Sequence, residues 1–275
     1  MNIFLTSFTL ALFAFSTLAH AVDAPPAKLQ QKDTTALQAV AAAAIADTDP
    51  YTGMQFVSVK GGCYQMGSSN GRDNENPVHD VCVNDFSIGK FEVTQAQWEK
   101  VMGSNPSHFS QCGPDCPVDR ISWNDAQEFI GKLNARSGRQ YRLPTEAEWE
   151  FAARSGGRNE KWAGTSDEKS LGDFAWFGQN AGGNPHKVGL KKANGIGIHD
   201  MSGNVLEWCQ DRYNDAYYKA SPKDNPPGAD TGENRVVRGG SWSNSADSTR
   251  TAYRDWDEPK IRTYNVGMRV VLPVR

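Results

Sequence analysis

The chain has 275 residues, 29 Lys and Arg against 32 Asp and Glu, a formal net charge of −3, 38% hydrophobic residues, 26 Gly, 14 Pro and 8 Trp. That length suits one large domain or two small ones. With charge near balance and no Lys/Arg block, neither nucleic acid nor an anionic membrane surface is an expected partner, because both need a concentrated basic face; the Gly, Pro and Trp content points to a loop-rich fold instead of a helical bundle.

Met1 to Ala21 carries no charged side chain, Ile3 to Leu18 is apolar apart from hydroxyl residues, and Ala19-His20-Ala21 is a small-x-small cleavage pattern. Residues 1–21 therefore read as a secretory signal peptide, although its start lacks the usual Lys or Arg. The product is expected in the periplasm or secreted, without a membrane span after cleavage, since no later stretch approaches about 18 apolar residues. Residues 22–53 shift to Ala, Gln, Asp, Thr and Pro and read as a spacer, in which Thr34 to Ala46 can form an Ala-rich helix. The compact domain is expected over 54–275.

Within it, three helices announce themselves by a hydroxyl residue followed three positions later by an acid or amide, which caps the first-turn amides reciprocally. Thr94 with Gln97 opens the first. Ser122 with Asp125 opens the second, whose Ala126, Phe129, Ile130 and Leu133 line one face up to Gly138. Thr145 with Glu148 opens the third, which is expected to stop near Gly156. Short alternating pieces at Phe56–Val59, Val81–Ile88, Arg235–Arg238 and Val266–Val271 read as strands. Between the third helix and Arg235 lies a long irregular stretch, which needs ions, bridges or function to hold it.

An oxidising compartment makes disulfides the first reading of the five cysteines. Cys63 and Cys82 lie on strand-like pieces close enough to be paired neighbours, and Cys112 and Cys116 bracket a Gly-Pro-Asp turn. Those two bridges are expected, with Cys209 left as a buried thiol. The alternative is a zinc site, but this C-x3-C has neither a second such pair nor His at ligand spacing.

The segments FVSVKGGCYQMGS, FEVTQAQWEKVMGSNPS, PVDRISWNDAQEFI, YRLPTEAEWEFAAR, GIHDMSGNVLEWCQD, VVRGGSW and NVGMRVV follow one another over 54–275. In them the chain resembles the sulfatase-modifying factor family, whose founding activity is that of the formylglycine-generating enzyme. The resemblance implies a single α+β domain of low regular secondary structure, related to C-type lectins and often stabilised by calcium. It also implies chemistry by two cysteines after the RGGS motif, which hold copper(I), engage a substrate cysteine and activate O2. The matching segment here, Ser241 to Arg262, has no cysteine, and none follows Cys209. Copper is thus not expected, because its soft ion selects thiolates. Iron held by distant carboxylates and His79, His108, His186 or His199 stays open, although no two of these form an i, i+4 pair.

The same resemblance places one calcium ion on the side chains of Asp200 and Glu207 and the carbonyls of Gly203 and Val205, hard oxygen donors of the kind Ca²⁺ takes. The alternative is a loop in which Glu207 pairs with an Arg and Asp200 makes a turn. A second family calcium site near Asn180 lacks room in QNAGGNPHKVG. Ser241, Trp242, Asn244 and Arg254 fall where the family places its groove and are candidate pocket residues with no chemical role assigned. Arg142 reads as a structural ion pair with the third helix, and Trp208, Trp242, Trp256 and Tyr253 as core. Three functions follow: a maturation or accessory factor for an exported protein or small molecule, with oxidation of a substrate other than a sulfatase cysteine left open; a non-catalytic lectin-like binding module; and a formylglycine-generating oxidase, which the missing cysteines disfavour.

Overall fold

The computed structural model describes residues 47–273; the expected signal segment and most of the expected spacer lie outside the described residues. Strands β1 (Asp47–Thr48), β2 (Gln55–Val59), β5 (Phe86–Gly89) and β10 (Val271–Pro273) form one antiparallel sheet in that order. Ile88 of β5 faces Val57 on one side and Val271 on the other. The first sheet therefore takes in residues ahead of Met54, where the compact domain was expected to start. Asp49 explains why: fully buried, it accepts bonds from the Thr52 amide and hydroxyl at 2.6 Å and from the Tyr141 hydroxyl at 2.9 Å, fixing the turn from β1 to β2.

The stretch read as one strand over Val81–Ile88 is two. β4 (His79–Val83) pairs with β3 (Gly62–Met66) in a separate hairpin, and the chain turns at Asp85, whose carboxylate accepts from Gly61 N–H. The stretch read over Val266–Val271 is likewise divided. β9 (Val266–Gly267) lies parallel to β6 (Leu206–Arg212), in a sheet ordered β8 (Arg254–Asp257), β7 (Arg235–Arg238), β6, β9, whereas β10 closes the first sheet.

Three helices start on the expected caps. α1 (Gln95–Met102), α2 (Trp123–Ser137) and α3 (Glu146–Ala153) open on Thr94, Ser122 and Thr145, each in a reciprocal capping box. Gly103 and Gly138, at positive φ, end α1 and α2, whereas α3 stops at Arg154, ahead of Gly156. α2 buries Ala126, Phe129, Ile130 and Leu133, and Phe129 stacks on Trp98 of α1 at 5.0 Å. Trp149 of α3 is fully buried in a second cluster with Val57, Ile88 and Val271. Truncating such a side chain costs about 3–5 kcal/mol.

All eight residues of α3 are buried, three glutamates included. Each meets an arginine. Glu146 takes Arg254 at 2.6 and 2.9 Å, Glu148 takes Arg142 at 2.6 Å through both oxygens, and Glu150 takes Arg154 at 2.9 Å and also Arg238. Charges this deep persist only when paired and hydrogen-bonded. They tie irregular segments to one short helix, and the expected Arg142 pair is one of them. Cys63 bridges Cys82 across β3 and β4, Cys112 bridges Cys116, and Cys209 is a buried free thiol. Among the described residues no helix is long and apolar enough to cross a membrane.

Candidate functional site

β6 lies within the stretch read as irregular, and just ahead of it the backbone turns sharply, with Asp200, Gly203 and Asn204 all at positive φ. Gly203 is obligatory, since a Cβ there would stand 2.1 Å from the Trp176 carbonyl oxygen. The turn delivers Glu207 into the interior, where Arg269 donates to it from Nη2 at 2.8 Å and from Nε at 3.0 Å, and the Trp149 indole N–H donates at 2.8 Å. Glu92, which precedes α1 and is equally buried, accepts from Asn204 Nδ2 at 2.8 Å and from Val205 N–H at 3.2 Å. Asp200 accepts from Gly189 N–H at 2.7 Å through one oxygen, and its buried Oδ1 has no partner.

Three buried carboxylates thus gather around one arginine. Burial, aided by the neighbouring Asp200 and Glu207 charges, pushes the Glu92 carboxyl well above its usual range, and burial raises Asp200 to about 6. The Glu207–Arg269 pair is the alternative weighed from the sequence. It leaves the residues nonetheless suited to a hard divalent cation, because Asp200 offers an orphaned oxygen and the acids outnumber the arginine. Among the described residues no three His, Cys, Asp or Glu side chains converge as a metal cage, so a cation here would need the Gly203 and Val205 carbonyls as well as Asp200 and Glu207. Asn180, in the second family position, spends its side chain on Phe177 N–H and the Ala175 carbonyl.

Trp242 N–H donates to the Asn204 carbonyl at 2.8 Å, which fastens the expected groove segment to this turn. Ser241 is buried behind it; its hydroxyl donates to Asn244 Oδ1 at 2.6 Å, lies 3.0 Å from the Ser243 hydroxyl and accepts from Asn265 Nδ2 at 3.4 Å. The Trp242 ring meets Phe109 edge-on at 5.2 Å and tilts toward Tyr264, 53% exposed, at 6.0 Å. Its indole N–H is buried without a partner. Ser241, Trp242 and Asn244 lie together at an aromatic surface edged with amides and hydroxyls.

Arg254 does not join them. It is fully buried on Glu146 and over the Tyr218 ring at 4.0 Å, because an arginine on β8 that points inward finds the acids of α3. Trp208 and Tyr253 are core, but Trp256 is 47% exposed on β8. Phe109, Tyr264, Asn265 and Glu92 escaped the sequence reading. Only Glu92 carried a local signal, an acid between Phe91 and Val93 in a run that otherwise reads as buried.

The free thiol lies elsewhere in chemical terms. Cys209 is wholly buried, and burial together with the nearby Asp211 and Glu146 charges raises its ionisation far above the ordinary thiol range, so it supplies no thiolate at neutral pH. Away from the groove residues, a cleft of about 1050 Å³ opens between β3 and the segments around Asn159 and Thr251.

The family model described as the sulfatase-modifying factor enzyme 1-like domain matches residues 42–274. The chain is 32% identical to the chaperone protein LppX of Paenibacillus barcinonensis, over 78% of this chain and 88% of the relative. It is 30% identical to the formylglycine-generating enzyme of Streptomyces coelicolor, over 78% and 87%. Among solved structures, variable protein 1 of Treponema denticola superposes with a TM-score of 0.77 at 31% identity, covering 83% of this chain and 99% of that one. The gathered turn before β6, the RGGS segment packed on it and these likenesses agree: the chain belongs to the sulfatase-modifying factor family and has that family's C-type-lectin-like fold.

Proposed function

We propose that the chain is an exported accessory or maturation factor that holds a protein or small-molecule client at the surface of Phe109, Trp242 and Tyr264, and that it forms no formylglycine. The segment Ser241–Arg262 carries this reading. It presents hydroxyls and amides where the family's oxidation needs two thiols, and hydroxyls are hard, protonated at neutral pH and poor partners for copper(I). Cys209 is a single thiol and buried. The surface is equipped for binding, because aromatic faces give contact area at low entropic cost. A relative named as a chaperone protein supports a role in holding other molecules.

The test is mass spectrometry of a sulfatase-derived cysteine peptide incubated with the protein, copper, reductant and O2. The expected result is an unchanged cysteine. Conversion to the aldehyde that survives Cys209→Ser would replace this reading with an oxidase.

Calcium belongs to the same proposal, in a structural part. Bound through Asp200, Gly203, Val205 and Glu207, it would supply positive charge to the acids before β6. Chelation should then lower the melting temperature, because a ligand held only by the folded state stabilises it by mass action. Asp200→Asn, which suits the positive φ at that position, should blunt the response. Identical melting in chelator and in millimolar calcium would remove the ion.

A further inference from the structure

We propose that the cleft beside β3 binds an extended segment of another polypeptide, which adds as a third strand to the β3–β4 hairpin. The site is separate from the Trp242 surface and does not rest on the reading given above for it.

The register fixes which backbone groups are free. On β4, Cys82 donates its N–H to the Lys223 carbonyl at 2.7 Å and its carbonyl accepts from Asn225 N–H at 2.8 Å, both away from β3. Cys63 and Gln65 lie opposite Cys82 and Asp80. In an antiparallel pair, hydrogen-bonded and non-hydrogen-bonded positions alternate, so Cys63 and Gln65 also turn their N–H and C=O groups away from the hairpin. No backbone or side-chain group among the described residues bonds any of these four. One step further along the same edge, Gly67 shows what an occupied position looks like: its N–H donates to Glu150 at 2.9 Å and its carbonyl accepts from Arg154 at 2.8 Å. The far edge of β4 is covered by Lys223–Asn225. Among the described residues, a stretch of two residues, closed at one end by a salt-bridged pair, is left open.

Unpaired strand edges template the addition of another strand, and proteins ordinarily blunt or cover them. This one instead forms a wall of the cleft of about 1050 Å³, with Asn159, Lys161 and Thr251 among the residues lining it. That volume of about 1050 Å³ slightly exceeds the roughly 300–1,000 Å³ typical of ligand sites. The enclosure also selects the occupant. In a second copy β3 stands inside its own cleft, so two such edges cannot meet. A single extended chain is slender enough. Recognition would run through the ligand's backbone and tolerate many sequences, with side chains alternating between the cleft floor and solvent.

The experiment selects phage-displayed dodecapeptides on the immobilised protein and follows amide exchange. Enriched peptides should slow exchange at Cys63 and Gln65, whereas Tyr64 stays as protected as in the free protein. Gln65→Pro removes an outward N–H that no internal group uses, a place where an edge strand accepts proline, and should weaken binding at least tenfold without changing the melting temperature. Gln65→Thr, which keeps the N–H, should bind as the parent does. The proposal is overturned if no peptide is enriched, if binding survives Gln65→Pro, or if both amides are already protected in the free protein by its own chain or by a second copy.

Discussion

Asp211 shows how one side chain can set a pH dependence. On β6 it is buried and accepts from Glu146 N–H at 2.9 Å, and burial, with the negative charges of Glu146 and Glu148 close by, lifts its carboxyl to about 8. An unfolded chain releases that proton near pH 4. Below about pH 4 both states hold the proton and its stabilising contribution is complete; as pH climbs from 4 through 8 the folded state keeps a proton the unfolded state has lost, and stability falls. Melting temperatures between pH 5 and 8 should decline less in Asp211→Asn than in the parent, and parallel curves would assign the proton elsewhere. The burial of Cys209 gives a second residue-scale expectation: a thiol reagent should leave the native protein unmodified and label one cysteine after denaturation without reduction. Much at this scale was illegible in the sequence. Arg254 sits in the segment that the resemblance places along the groove, and its fate depends on Glu146, which is remote in sequence. Glu207 is named as a ligand through the resemblance alone, and its partner Arg269 comes from another strand region altogether.

Elements were legible where their cause is local. The three capping boxes span four residues each, and all three helices begin where those residues place them. Ser122→Ala should cost about 1 kcal/mol, read as a lowered denaturation midpoint with unchanged slope, whereas Ser122→Thr, which keeps the hydroxyl that accepts from Asp125 N–H and donates to its carboxylate, should cost less. Strands were legible as strands but not as members of a sheet. Val266–Val271 alternates like one piece, yet Arg269 in its middle turns inward to Glu207 and Gly89, so the residues before it pair with β6 and those after it pair with β5. Nothing in six residues of alternation records that division. The same holds for Ser241, Trp242 and Asn244, whose neighbours Phe109 and Tyr264 arrive from both sides of the sequence.

For the whole molecule, the bridges should rank by the chain they enclose. Cys63–Cys82 spans a separation of 19 residues and Cys112–Cys116 one of 4, so loop-closure entropy gives about 3 and about 2 kcal/mol respectively. Denaturation of the two double-serine variants should show the larger loss for Cys63→Ser/Cys82→Ser. Both bridges were readable from sequence because each joins near neighbours, whereas the charged network around α3 was not, because its arginines come from as far as Arg238 and Arg254.

The placement of β9 and β10 in different sheets also bears on when the molecule can fold. The sheet begun by β1 and β2 is completed only by Val271–Pro273, at the opposite end of the domain, and the acids before β6 wait for Arg269 from the same late segment. While the polypeptide is still being made, β5 has an open edge and Glu207 has no counter-charge. Folding is therefore expected as one late event triggered by the final strands, slow in the manner of long-range pairings, and nascent chains arrested before Val266 should remain open to proteolysis at every length.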